Sequence, residues 1–140
     1  MKKFLFVAFA AILTTTCFGQ KTSKDNIPQV VKDALKKSFP TAHNEKWEKE
    51  DQNFEAEFNL NKEEMSALYS PEGKLIETEV EIALGELPTP IVNYVSKNLS
   101  GKKIKEASKI TDATGTVSFE AEVDGKDYIF DASGNLLKSE

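Results

Sequence analysis

The sequence predicts an α+β fold in which one helix-plus-antiparallel-sheet unit occurs twice. Three observations carry this: three ordered internal matches, two stretches with apolar residues at helical spacing, and, after each, a switch to strict two-residue alternation. Ile27-Pro28 is matched by Leu87-Pro88, and Phe54-Glu55-Ala56-Glu57-Phe58 by Phe119-Glu120-Ala121-Glu122-Val123. Leu68 to Leu75 is matched by Ile129 to Leu136. The offsets are 60, 65 and 61 residues (87 − 27, 119 − 54, 129 − 68), in unchanged order. Such a series describes a tandem duplication, with repeats at 27–82 and 87–140 and a short linker at 83–86.

In the first repeat Ile27, Val30, Val31, Ala34, Leu35 and Phe39 form a helical stripe that leaves Lys32, Asp33, Lys36 and Lys37 to solvent. Asp25 or Asn26 is a candidate cap, Pro28 suits a first turn, and Pro40 ends the helix. In the second repeat Leu87, Ile91, Val95 and Leu99 repeat the stripe, with Pro88 and Pro90 opening it and Gly101 closing it. Phe54, Ala56, Phe58 and Leu60 then alternate with Glu55, Glu57 and Asn59, as Val117, Phe119, Ala121 and Val123 do with Ser118, Glu120 and Glu122. Further strands are expected at 65–69, 76–82 and 126–130, with weaker ones through Trp47 and through 104–110. Asp124-Gly125 is a tight-turn signal, and Pro71-Glu72-Gly73 and Ala132-Ser133-Gly134-Asn135 are matching turns. A unit of about 55 residues buries only about 60% of its surface alone. The two are therefore expected to share one open antiparallel sheet, with both helices on one face.

The N-terminus reads as a targeting segment. Lys2 and Lys3 precede an apolar run from Phe4 to Leu13, which is too short for the roughly 20 residues that span a bilayer. Small and polar residues follow, and cleavage is expected between Gly19 and Gln20, leaving 20–26 as a tail. Lipidation at Cys17 is the alternative, but Leu13 and Thr16 fit that pattern poorly. The expected location is the periplasm or outside the cell. With residues 1–19 removed, no cysteine remains, so packing and not disulfides must hold the fold. The formal charge moves from −5 to −7 on loss of Lys2 and Lys3. All 18 basic residues are lysine. An acidic chain without arginine is a poor match to nucleic acid, because bidentate contacts to phosphate and bases favour arginine.

The residues resemble the PepSY-like family of small exported bacterial proteins, whose fold is likened to the beta-lactamase inhibitory protein. Ile27-Pro28-Gln29-Val30-Val31, Phe39-Pro40-Thr41-Ala42, Trp47, Phe54 to Phe58 and Pro71-Glu72-Gly73-Lys74 carry the resemblance. It covers nearly all of the chain after residue 19, the first repeat more closely than the second. It implies tandem helix-and-sheet units and a binding module, and it admits inhibition of an envelope or secreted protein acting in trans.

Catalytic chemistry finds little support. His43 is the single histidine, with no HExxH, CxxC, GxSxG or glycine-rich phosphate loop. The segment Asp131 to Asn135 lacks the acidic spacing of a calcium loop. No enzyme activity, metal or cofactor is expected. The lysines around 97–109 read as a solvated helix end. If the apolar members of each strand face the helices, then Glu55, Glu57, Glu120 and Glu122 face the other way, joined by Glu77, Glu79 and Glu81. That face, with Trp47 as a candidate anchor, is the expected surface for a protein partner. Trp47 also fits the core, opposite Phe54 and Phe58. The alternative function is a cation or small-ligand sensor built on the same carboxylates. The chain is expected to be a monomer.

Overall fold

The computed structural model describes Gln20–Lys21 and residues 26–139. The targeting segment at 1–19 with Cys17, and the candidate cap Asp25, lie outside the described residues. Two ten-residue helices, α1 (Gln29–Ser38) and α2 (Thr89–Asn98), accompany nine strands. These are β1 (Gln20–Lys21), β2 (His43–Glu50), β3 (Asn53–Leu60), β4 (Glu63–Tyr69), β5 (Leu75–Glu81), β6 (Ile104–Asp112), β7 (Val117–Val123), β8 (Lys126–Asp131) and β9 (Leu136–Ser139). The strands follow chain order through an open antiparallel sheet, so the expected α+β class is the observed one.

By its internal contacts the chain divides into two compact units. The first holds α1, β1 to β3 and 66–76; the second holds 63–65 and everything from Glu77 onward. The division falls inside β5, because Glu77–Glu81 pair with Asp112–Ser108 of β6.

In the first unit α1 buries Val31 and Leu35, the innermost positions of the expected stripe. Among the described residues no side chain, Asn26 included, caps it; Pro28 occupies the cap, and its carbonyl accepts from the Val31 and Lys32 amides at 3.0 and 3.2 Å. Proline fits because the cap position needs no N–H of its own. Phe39, just past the helix, stacks on Phe58 at 4.9 Å. That contact sets the faces of β3: Phe54, Ala56 and Phe58 turn toward α1 and are buried, and Glu55 and Glu57 turn away. Two-residue turns join β2 to β3 and β3 to β4. Asp51, Asn61 and Lys62 take left-handed φ of 52°, 53° and 75° there, which matches the right-handed twist of the strands. The Pro71-Glu72-Gly73 turn lies on the helix start, where a Cβ at Gly73 would meet the Val30 carbonyl oxygen at 2.9 Å.

The second unit is built on the same plan. Leu87, Ile91 and Val95 pack with Ala107, Ala121, Val123 and Phe130, and Tyr94 meets Phe130 edge-on at 5.2 Å. The expected Asp124-Gly125 turn is present, with φ of 60° and 75°. Gly134 carries the matching turn, and a Cβ there would lie 2.5 Å from the Pro90 side chain. Asp112 and Asp131 each fold a turn by accepting backbone N–H groups two and four residues on, at 2.8–2.9 Å. These bonds favour the ionised carboxylate, and both pKa values lie below the usual range, led by the Thr114 hydroxyl for Asp112 and the Asn135 amide for Asp131.

Candidate functional site: the carboxylate faces of the sheet

In the second unit, strand register assembles the site. Starting from Ala107 and Ala121, which pair and face α2, alternation turns the residues on either side away from the helix. On that outer face Glu81, Ser108, Glu120, Ile129 and Lys138 form one cross-strand row. Glu79, Ile110, Ser118 and Asp131 form the next, Glu77 pairs with Asp112, and Glu106, Glu122 and Asp127 lie in line beyond. The expected set Glu77, Glu79, Glu120 and Glu122 is thus brought together, and register adds Asp112 and Asp127.

Like charges directly opposite destabilise a sheet, and the titration of this face carries the strain. Glu79 is 3% exposed. Burial pushes its pKa up to about 7, and repulsion from Glu77 and Asp127 adds to this while the Ser108 hydroxyl bond opposes it. Burial also raises Glu77, helped by Asp112 and opposed by Lys138. A fully open sheet face was expected around Glu79. Its place in mid-sheet, with Ser108 and Ile110 buried on the neighbouring strand, leaves its carboxyl little water.

In the first unit the outer face holds Glu55 and Glu57, set by register beside Glu48 and Lys46. Lys46 and Glu57 form an ion pair at 3.6 Å. The two-residue turn at 61–62 places Ser66 across from Glu57 and Leu68 across from Glu55. Glu55 is 4% exposed, so it too is a buried carboxylate and not the solvated one expected. Trp47 pairs with Ala56 on the α1 side at 5% exposure. The partner-anchor reading of Trp47 is therefore withdrawn in favour of the core reading, since its ring offers a partner almost no surface. Ser66, Leu68, Asp112 and Asp127 were missed. Pairing across strands is what sets Asp112 beside Glu77 and Asp127 beside Glu122, and no local pattern marks that.

His43 is exposed at the start of β2, its Nδ1 lying 3.3 Å from the Thr41 carbonyl. Among the described residues no group of three or more His, Cys, Asp or Glu is arranged to hold a metal ion. Among them, too, no helix is long and apolar enough to cross a membrane.

No family model matches the chain, and no curated protein matches it. Solved structures do. A chain from Bacteroides eggerthii, provisionally described as periplasmic, superposes with a TM-score of 0.71 at 19% identity, covering 81% of this chain and 87% of that one. A DUF2874 family protein from Bacteroides uniformis gives 0.71 at 18% identity over 81% and 88%. A BLIP-like protein from Bacteroides fragilis gives 0.64 at 22% identity over 81% and 84%. At these identities the likeness is one of fold: two helices with an open antiparallel sheet, as in the BLIP-like neighbour.

Proposed function

We propose that this chain is an exported, non-catalytic binding module of the PepSY-like kind, which engages a basic protein partner through the carboxylate-bearing sheet face of its second unit. The observation that carries the reading is the packing of Glu77, Glu79, Asp112, Glu120, Glu122 and Asp127 onto adjacent registers of one face. Mutual repulsion there is relieved when a cationic surface docks, so part of the free energy stored in the unbound sheet is released on association. The BLIP-like neighbour supports a protein as the partner, because its likeness extends over most of both chains. The proposal includes cleavage after Gly19, action in the periplasm or outside the cell, and descent of 27–82 and 87–140 from one duplicated unit. A metal-sensing role has less support, since carboxylates in a row along strands do not converge on one point.

The test is affinity capture of an envelope protein on the immobilised wild-type chain and on the Glu120→Lys/Glu122→Lys variant, at low and high salt. Both glutamates are only half-buried, so the variant is expected to keep its fold, checked by circular dichroism. Capture that weakens with salt and disappears in the variant supports the reading. Capture that is indifferent to both overturns it.

A further inference from the structure

We propose that Asp124 is a site of spontaneous aspartate-to-isoaspartate conversion, and that the Lys102 ammonium, 3.0 Å from its carboxylate, slows the reaction.

Asp124-Gly125 is the only place in the chain where aspartate or asparagine precedes glycine. The pair forms the two-residue turn between β7 and β8, closed by the pairing of Val123 with Lys126. Both residues are exposed, and a Cβ added at Gly125 would meet nothing within 4 Å. The reaction needs that openness. The Gly125 amide nitrogen bonds to the Asp124 Cγ, the carboxyl hydroxyl and the amide proton leave as water, and a five-membered succinimide ring forms. Water then adds to one of the two ring carbonyls. Opening at the main-chain carbonyl of Asp124 leaves the chain running through Cβ and Cγ, which is isoaspartate of unchanged mass. Glycine speeds ring closure because no Cβ hinders its nitrogen and its backbone moves freely. The β3–β4 turn has nearly the same shape, with φ of 53° and 75° against 60° and 75° here, but there Lys62 follows Asn61 and its Cβ stands in the way.

The carboxyl must hold a proton for its hydroxyl to leave, so whatever keeps it ionised slows the first step. Lys102 above all, with Lys105 and Lys126, holds the Asp124 carboxyl below the usual aspartate range. The bond to Lys102 also restrains the side-chain rotation that ring closure requires. Lys102 is 43% and Asp124 64% exposed, so water and salt reach the pair and its protection is partial. Conversion adds one carbon to the main chain between β7 and β8. A two-residue turn sets hairpin register, so the longer link works against the pairing of Glu122 with Asp127 and of Glu120 with Ile129. Chemistry at an exposed turn thereby reaches the outer face of the sheet.

The experiment is incubation of the purified wild type, Lys102→Met and Lys102→Arg in the warm at neutral pH for several weeks, followed by tryptic digestion. Isoaspartate is read in the peptide 110–126 as a species of equal mass and different retention, and fragmentation locates it. Asp112 lies in the same peptide, followed by Ala113, with its carboxylate held by the Thr114 and Thr116 amides, and serves as the internal control. Wild type is expected to accumulate isoaspartate at Asp124 and not at Asp112. Lys102→Met is expected to convert roughly twofold to fivefold faster, the range open to an exposed ion pair, and Lys102→Arg at the wild-type rate. Lys102 is exposed and outside every helix and strand, so both variants keep the fold, which circular dichroism checks. Conversion at Asp124 no faster than at Asp112 overturns the site. Equal rates in wild type and Lys102→Met overturn the role of Lys102.

Discussion

Glu79→Gln should stabilise this protein at pH 8 and leave it nearly unchanged at pH 4. Glu79 has an ordinary pKa of 4.5 when exposed and about 7 in the fold, raised chiefly by burial. A carboxyl whose folded pKa is raised favours the folded state while it is protonated. That advantage is fully present below pH 4.5 and is lost as pH rises to about 7, above which the folded chain carries a buried charge. The gap of 2.5 in pKa (7 − 4.5) corresponds to about 3 kcal/mol at roughly 1.4 kcal/mol per factor of ten. Glutamine keeps the shape, carries no charge, and can still accept from Ser108. It also removes the repulsion between Glu79 and Glu77, which is already part of the raised pKa. Because these sites titrate together, about 2–3 kcal/mol is the expected gain above pH 8. Urea unfolding of both proteins at pH 4 to 9, read by far-ultraviolet circular dichroism, gives the difference directly. A difference that stays flat across this range refutes the account of a proton-holding carboxyl at mid-sheet.

Three other outcomes follow from the packing. Gly134→Ala should cost at least about 2 kcal/mol, since it forces an alanine into φ +86° and against Pro90 at 2.5 Å; Gly115→Ala, at φ +87° with nothing within 4 Å, should cost only about 1 kcal/mol. Chemical denaturation of the two variants measures the difference, and equal losses would show that the turn does not press on α2. Trp47→Ala should cost about 3–5 kcal/mol, as for other large-to-small core changes, and the native tryptophan emission should shift to longer wavelength on unfolding; a native spectrum already at the solvent-exposed position would put Trp47 on the surface. Phe58→Leu should lose the Phe39 contact at 4.9 Å and about 1 kcal/mol, read by the same unfolding assay.

Element type was legible in the sequence because both helices and the longer strands announce themselves through a local period. Val31 and Leu35, or Ile91 and Val95, mark their buried stripe within four residues of chain. The turn signals were legible too, including the glycines that let the turns at Gly73 and Gly134 each approach a helix start. Caps were less legible: Asn26 has the side chain for a cap, yet Pro28 is used, because a proline carbonyl serves as well as any other once tertiary packing fixes the helix position. The two-residue β1 at Gln20–Lys21 carries no periodic signal at all and exists only through its pairing with Lys49 and Glu48.

The candidate site divides along the same line. Alternation along β3, β5 and β7 is enough to say that Glu55, Glu57, Glu79, Glu120 and Glu122 avoid the helices. It says nothing of lateral neighbours, which depend on register between strands, and it is the neighbours that decide how a carboxylate behaves. Asp112 stands beside Glu77 because residue 112 pairs with residue 77; Ser108 reaches Glu79 because β6 runs antiparallel two rungs along. A shift of one residue in β6 would send Ser108 and Ile110 to the α2 side and bring Lys109 to the outer face. Glu79 would then gain a cation where it now has a serine and an isoleucine, and its pKa would fall instead of rising. The acidic character of this face is therefore a property of pairing as much as of composition, and its proton affinity is a direct readout of the register.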